Sequence, residues 1–97
     1  MGPYVTRERI AIEISINNGS PLELSLEMVG EASTLTRTLV LGVDAALVDV
    51  GQGVYRYSFV PSDTERGLLS YRWYGKDSVG TEFAAPTEAQ YRKFTIQ

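Results

Sequence analysis

The chain contains no cysteine and no histidine. No disulfide, thiolate nucleophile, zinc-finger ligand set or imidazole base can be built from it. Cationic charge is also scarce: 9 Lys and Arg stand against 12 Asp and Glu, a net charge of -3. A generic nucleic-acid binder is disfavoured, because neutralising phosphates needs a cationic surplus. Long apolar runs are missing. Thr38–Val43 falls far short of the ~20 residues a membrane span needs, and Met1–Thr6 lacks the apolar stretch of a signal peptide. These gaps lead to the expectation of a protein made in the cytoplasm that acts without membrane or nucleic acid. With only 4 Pro and 9 Gly, there is punctuation for many short elements but no low-complexity linker.

What is present is an ordinary globular balance: 97 residues, 43% hydrophobic and 22% charged. That is one domain, able to bury roughly 60–70% of the surface its unfolded chain exposes. The apolar period is 2 almost everywhere, which is the strand signal. In Arg9–Ile16, Ile10, Ile12, Ile14 and Ile16 share one face. Asn17-Asn18-Gly19-Ser20-Pro21 breaks the run, and Leu22, Leu24, Leu26 and Met28 resume it. A helix would spread these four residues around its circumference, so the spacing predicts a strand. Thr34–Leu41 reads as a third strand. Arg37 falls in the apolar phase of Leu35, Leu39 and Leu41, so this strand must be short, bulged or at an edge. Ala46–Val50 is a weak fourth strand and Val54–Val60 a strong fifth. Leu69, Tyr71 and Trp73 mark the sixth, and Tyr91–Ile96 is the last. Thr81–Pro86 reads as irregular, and Thr87–Lys93 is the best helical candidate. About seven short strands joined by Gly/Pro turns predict an all-β sandwich or small barrel, with residues 1–6 as an N-terminal arm and 7–97 as the domain.

Carboxylates, Tyr and Lys are the only acid–base groups left. Glu23 and Glu27 share one face of a strand at about 13 Å, outside the ~5–5.5 Å and ~6.5–9.5 Å separations of glycosidase pairs. Asp44 with Asp49, and Asp63 with Glu65, sit at turns, where turn formation is the ordinary role. Neither a calcium-loop pattern nor S-x-x-K is present. Gly51-Gln52-Gly53 lacks the Lys-Ser/Thr and following helix of a phosphate loop and reads as a turn or bulge. No catalytic residue, metal ligand or cofactor site is expected.

The aromatic group is the richest feature. Tyr55, Tyr57, Phe59, Tyr71 and Trp73 share the inward phase of two successive strands, which predicts core rather than a stacking platform. Tyr74 is out of phase with Trp73 and is expected on the outer surface. Arg56 and Arg72 point outward on strands expected to be neighbours, able to pair with Glu23 or Glu27 or to contact another subunit. Tyr4 and Val5 would anchor the N-terminal segment on a neighbour if it acts as an arm; the alternative is a frayed end. These five residues, Tyr4, Val5, Arg56, Arg72 and Tyr74, are the interaction candidates.

Several phrases resemble a known group. They are Val43-Asp44-Ala45-Ala46-Leu47-Val48-Asp49, Gly51-Gln52-Gly53-Val54-Tyr55-Arg56, Phe59-Val60-Pro61, the reversal at Glu65-Arg66-Gly67, and Tyr71-Arg72-Trp73-Tyr74-Gly75. With Tyr4-Val5-Thr6-Arg7-Glu8 they cover about two thirds of the chain. Together they resemble short immunoglobulin-like β-sandwich structural proteins of tailed bacteriophages and prophages. Leu22–Leu41 departs from that pattern, with Val29-Gly30-Glu31 where an Asp-Pro-x-Gly type turn would be expected. The resemblance implies a single immunoglobulin-like β-sandwich of about seven antiparallel strands. It implies a non-catalytic component of the virion, first a capsid decoration (cement) protein, or else a neck, tail or fibre-associated module. The partners would be capsid, neck or tail subunits or further copies of the chain. A carbohydrate- or cell-surface-binding β-sandwich is the alternative outside that class.

Overall fold

The computed structural model describes residues 4–16, 19–85 and 92–97. They form eight strands: β1 (Ile10–Ser15), β2 (Glu23–Gly30), β3 (Arg37–Val40), β4 (Leu47–Gly51), β5 (Val54–Phe59), β6 (Gly67–Lys76), β7 (Glu82–Ala85) and β8 (Arg92–Ile96). The helical content of the described residues is one 3-10 turn, Ser33–Leu35. All eight strands pair antiparallel. A three-stranded sheet has the order β1-β5-β4. In the second sheet the order is β3-β2-β6-β7, with β8 also on β6.

The period-2 reading decides which side chains face the other sheet. Ile10, Ile12, Leu47, Tyr55, Tyr57 and Phe59 come from the three-stranded sheet. Leu24, Leu26, Met28, Leu39, Leu69, Trp73 and Ile96 come from the five-stranded one, and Leu35 joins them from the 3-10 turn. All are buried in one continuous cluster, with no buried polar or charged residue among the described ones. The architecture is therefore two antiparallel sheets around a shared apolar core, a sandwich-like arrangement. Tyr57 and Phe59 stack at 5.5 Å within it. Trp73 is 2% exposed and is the largest of the fully buried side chains. Tyr71 shares its phase but is only half-buried, and its ring meets Phe94 at 6.0 Å.

Strand β6 is the spine. Eight of its ten residues pair with β2 along one edge, from Glu23↔Lys76 to Gly30↔Leu69. Its other edge is shared end to end. β7 covers Trp73–Lys76 and β8 covers Gly67–Tyr71. Ala85 lies opposite Trp73 and Arg92 opposite Tyr71. Gly75 permits a close approach of β2. A β-carbon there would collide with the Glu23 carbonyl oxygen.

Three expectations need correction, and a fourth lies mostly outside the described residues. Among the described residues there are eight strands where about seven were expected: Glu82–Ala85, read as irregular, is β7. One large apolar residue, Phe83, is too few to show alternation, and the pairing partner supplies the order. The third strand is shorter than Thr34–Leu41, because Leu35 is taken into the 3-10 turn. It is also an edge strand, one of the options its Arg37 required. Arg56 and Arg72 do not lie on neighbouring strands. β5 and β6 belong to opposite sheets, since the link Val60–Arg66 crosses between them. The helical candidate Thr87–Lys93 lies mostly outside the described residues, and its last two, Arg92 and Lys93, begin β8.

Gly51-Gln52-Gly53 is the β4–β5 turn, with positive φ at all three residues and a register shift between Asp49 and Gly51. The Gly51 N–H donates to the Asp49 carboxylate at 2.9 Å. Gly53 is required twice over, by its φ of 79° and by the Ile16 carbonyl oxygen that a β-carbon would strike.

Replacement of Trp73 by alanine is expected to cost about 3–5 kcal/mol, as for other buried large aromatics. Urea denaturation followed by far-UV circular dichroism measures it. In the unmodified protein Trp73 emission should be blue-shifted and resistant to iodide. A melt of Trp73→Ala that barely moves would contradict the packing described above.

Candidate functional site

The outer face of the five-stranded sheet carries the densest set of polar side chains. Successive β6 residues Ser70, Arg72, Tyr74 and Lys76 alternate with the core residues, so all four project outward. Cross-strand register then sets their neighbours. Glu27 lies opposite Arg72 and Glu23 opposite Lys76 on β2, and Glu82 lies opposite Lys76 on β7. The Arg72 Nε is 3.3 Å from Glu27 Oε1, and Lys76 Nζ is 3.5 Å from Glu23 Oε2. Tyr74 sits between Ser25 on β2 and Ala84 on β7. Both neighbours are small, so the flanks of the ring are left open. The Arg72 guanidinium covers the ring at 5.0 Å from its centroid. Glu23, Arg72, Tyr74, Lys76, Glu82 and Ala84 line an open concavity of about 440 Å³.

Two of the five interaction candidates, Arg72 and Tyr74, thus meet at one place. Arg72 is more engaged than expected: its side chain is only 14% exposed. Tyr74 is half-buried rather than free, because Arg72 lies over it. Glu23, Lys76 and Glu82 complete the concavity. Glu23 had been weighed only as an acid–base or ion-pair group. Lys76 and Glu82 had no signal of their own, because their apposition depends on β7.

Arg56 occupies the outer face of the other sheet. Its Nε donates to Glu13 at 2.7 Å, the partner that register places directly opposite on β1, in place of the Glu23 or Glu27 expected from sequence. Val48 flanks it on β4. Tyr4 and Val5 lie beyond β8. The Tyr4 N–H donates to Thr95 O at 3.0 Å, and the Gln97 N–H donates back to Tyr4 O at 2.7 Å. The Tyr4 ring meets Phe94 edge-on at 4.9 Å, while Val5 is exposed. A further clip follows at Arg7, which has a positive φ. Its guanidinium binds the Asp63 carboxylate through two hydrogen bonds and holds that carboxyl below its usual range.

Arg37 resolves its own sequence anomaly. It donates to the Tyr57 hydroxyl at 2.9 Å and to Thr34 O at 2.9 Å. Its Nη2 also lies 4.0 Å from Glu65 Oε2. Glu65 in turn accepts from the Ser62 N–H at 2.8 Å and from the Thr34 hydroxyl at 2.9 Å. The Ser62 amide bond is the main reason its carboxyl lies below the ordinary glutamate value of 4.5. The Thr34 and Ser62 hydroxyls and the Arg37 charge add to it, and burial opposes it. This network reaches the core-facing Tyr57 from an edge strand and is structural in geometry.

Among the described residues no three carboxylates gather where they could hold a metal ion, and no helix is long and apolar enough to cross a membrane. No family model, curated protein sequence or solved structure matches this chain.

Glu65→Gln is expected to lower stability at pH 7 by about 1–2 kcal/mol, the scale of a lost charge-assisted hydrogen bond. The sign follows from a depressed folded-state pKa. The contribution is complete above the unfolded value of 4.5 and fades as pH falls through the lower folded value. Guanidinium melts at pH 7 and pH 3 should show the gap between the two proteins closing in acid.

Proposed function

We propose that this chain is a non-catalytic structural component of a tailed-phage virion, in the first place a capsid decoration (cement) protein that packs on neighbouring subunits. The immunoglobulin-like phrases quoted above support that reading, and so does the two-sheet arrangement they were expected to produce. The observation that carries it is the three-stranded sheet. Its two edges, β1 and β4, have no further strand beside them among the described residues. β4 also exposes every residue after Leu47, with Val48 at 49% and Val50 at 44% exposure. The edge carries Asp49 and a register shift before Gly51, but its exposed β-branched Val48 and Val50, with no proline or lysine, suit it to lateral pairing. Many copies on a lattice would turn weak individual contacts into stable attachment.

The interaction candidates take their roles from this surface. Arg56 lies beside Val48 and can exchange its Glu13 partner for a carboxylate on a neighbour. Val5, exposed next to Tyr4, adds an apolar contact beyond β8. A neck, tail or fibre-associated module is the variant within the same class. Outside it stands a carbohydrate- or cell-surface-binding sandwich, favoured by one observation only, the Tyr74 concavity.

The test is biochemical. Particles purified from the strain carrying the gene should contain the protein in many copies by quantitative mass spectrometry. A Val48→Lys, Val50→Lys double variant should fold but be incorporated about tenfold less. Virions lacking the protein altogether would end the proposal.

A further inference from the structure

We infer that the concavity around Tyr74 is a subsite for one neutral pyranose residue of a glycan chain. The inference rests on the surface-binding reading and is independent of the virion reading. Three features of the site carry it. First, the aromatic ring is already placed. Arg72 on the same strand lies over one face of the Tyr74 ring and Ser25 and Ala84 flank it, so a sugar stacking on the opposite face would have little side-chain freedom to remove. Second, hydrogen-bonding groups are arranged at its side. Glu23, Lys76 and Glu82 form one cross-strand row on β2, β6 and β7, with an acceptor, a donor and an acceptor in sequence. Sugar hydroxyls both donate and accept, and a row of alternating character satisfies both roles. Third, the charges select against anions. Three carboxylates (Glu23, Glu27 and Glu82) outnumber the two cations, Arg72 and Lys76. A phosphate, a uronic acid or a nucleic-acid strand would be repelled, whereas a neutral sugar pays no such penalty.

The shape sets the size and the strength. About 440 Å³ open to solvent accommodates a single residue whose neighbours in the chain continue along the sheet. Such a site binds at about millimolar Kd, and repetition of the module would supply the remaining affinity.

The test is a 15N–1H correlation titration of the full chain. The probes are neutral oligosaccharides of glucose, galactose, mannose and N-acetylglucosamine, with oligogalacturonate and oligo-dT as anionic controls. At least one neutral probe should give saturable shifts of the Tyr74, Gly75, Lys76 and Ala84 amides. Tyr74→Ala should weaken that binding by about tenfold or more, and Ala84→Arg should block it by filling the depression. Tyr74→Phe should bind as the parent does, because the stacking face remains. Emission from the buried Trp73 reports in each variant that the fold is intact. The inference is overturned if no neutral probe shifts these amides, if Tyr74→Ala binds unchanged, or if an anionic control binds more tightly. None of those results bears on incorporation into particles, so the two proposals fail separately.

Discussion

Burial of the inward face of β6 is the constraint on which the other features depend. Leu69 and Trp73 are 0% and 2% exposed and lie between the sheets. A strand turns alternate side chains to opposite faces, so fixing Trp73 inside fixes Arg72 and Tyr74 outside. The same strand is paired on both edges, to β2 on one side and to β7 and β8 on the other. Its outward residues therefore receive neighbours from both directions. The concavity at Tyr74 is a by-product of this arrangement: a large ring between two small residues, with a row of charges one pair further along.

The charged groups follow the same logic at a smaller scale. Glu13–Arg56, Glu27–Arg72 and Glu23–Lys76 are all directly opposed cross-strand pairs. The two exposed pairs, Glu13–Arg56 and Glu23–Lys76, contribute about 0–1 kcal/mol each, so they choose register and surface character more than they hold the fold. The Arg37, Glu65 and Tyr57 network differs, because it joins a β3 side chain to a core residue of the other sheet and to the turn before β6. It adds a directional contact between the sheets to the non-directional packing of the core.

The two faces of the molecule lend themselves to different uses. The five-stranded sheet is polar outside and has part of its edge occupied, since residues 4–6 run beside β8. The three-stranded sheet is narrower, open at both edges among the described residues and more apolar where β4 lies. The packing proposed above would use the second, and the proposed sugar subsite lies on the first. Tyr4, read from the sequence either as an anchor on a neighbour or as part of a frayed end, meets its own C-terminal strand in this structure. A parallel bridge between chain ends is non-local, and no local pattern announces it.

Much of the core was legible from residue order. Ile10 and Ile12, Leu24, Leu26 and Met28, Tyr55, Tyr57 and Phe59, and Leu69 with Trp73 were all phased correctly, because period 2 is a local property of an extended chain. The outward position of Tyr74 followed from the same rule. Arg37 could be recognised as out of place, and its edge location was one of the solutions offered. β7 was not legible. Its sequence shows almost no alternation, and its order comes from a partner whose nearest paired residue is six positions away, across a turn held by Asp77. The assignment of β5 and β6 to different sheets was equally hidden. It depends on which edges close against each other, and side-chain phase says nothing about that. The sequence by itself determined which side chains face inward and that the fold is built of strands, since both depend on near neighbours along the chain. Only the tertiary structure decided which strands are adjacent, and with them the ion pairs, the open edges and the hollow at Tyr74, because adjacency is set by long-range pairing.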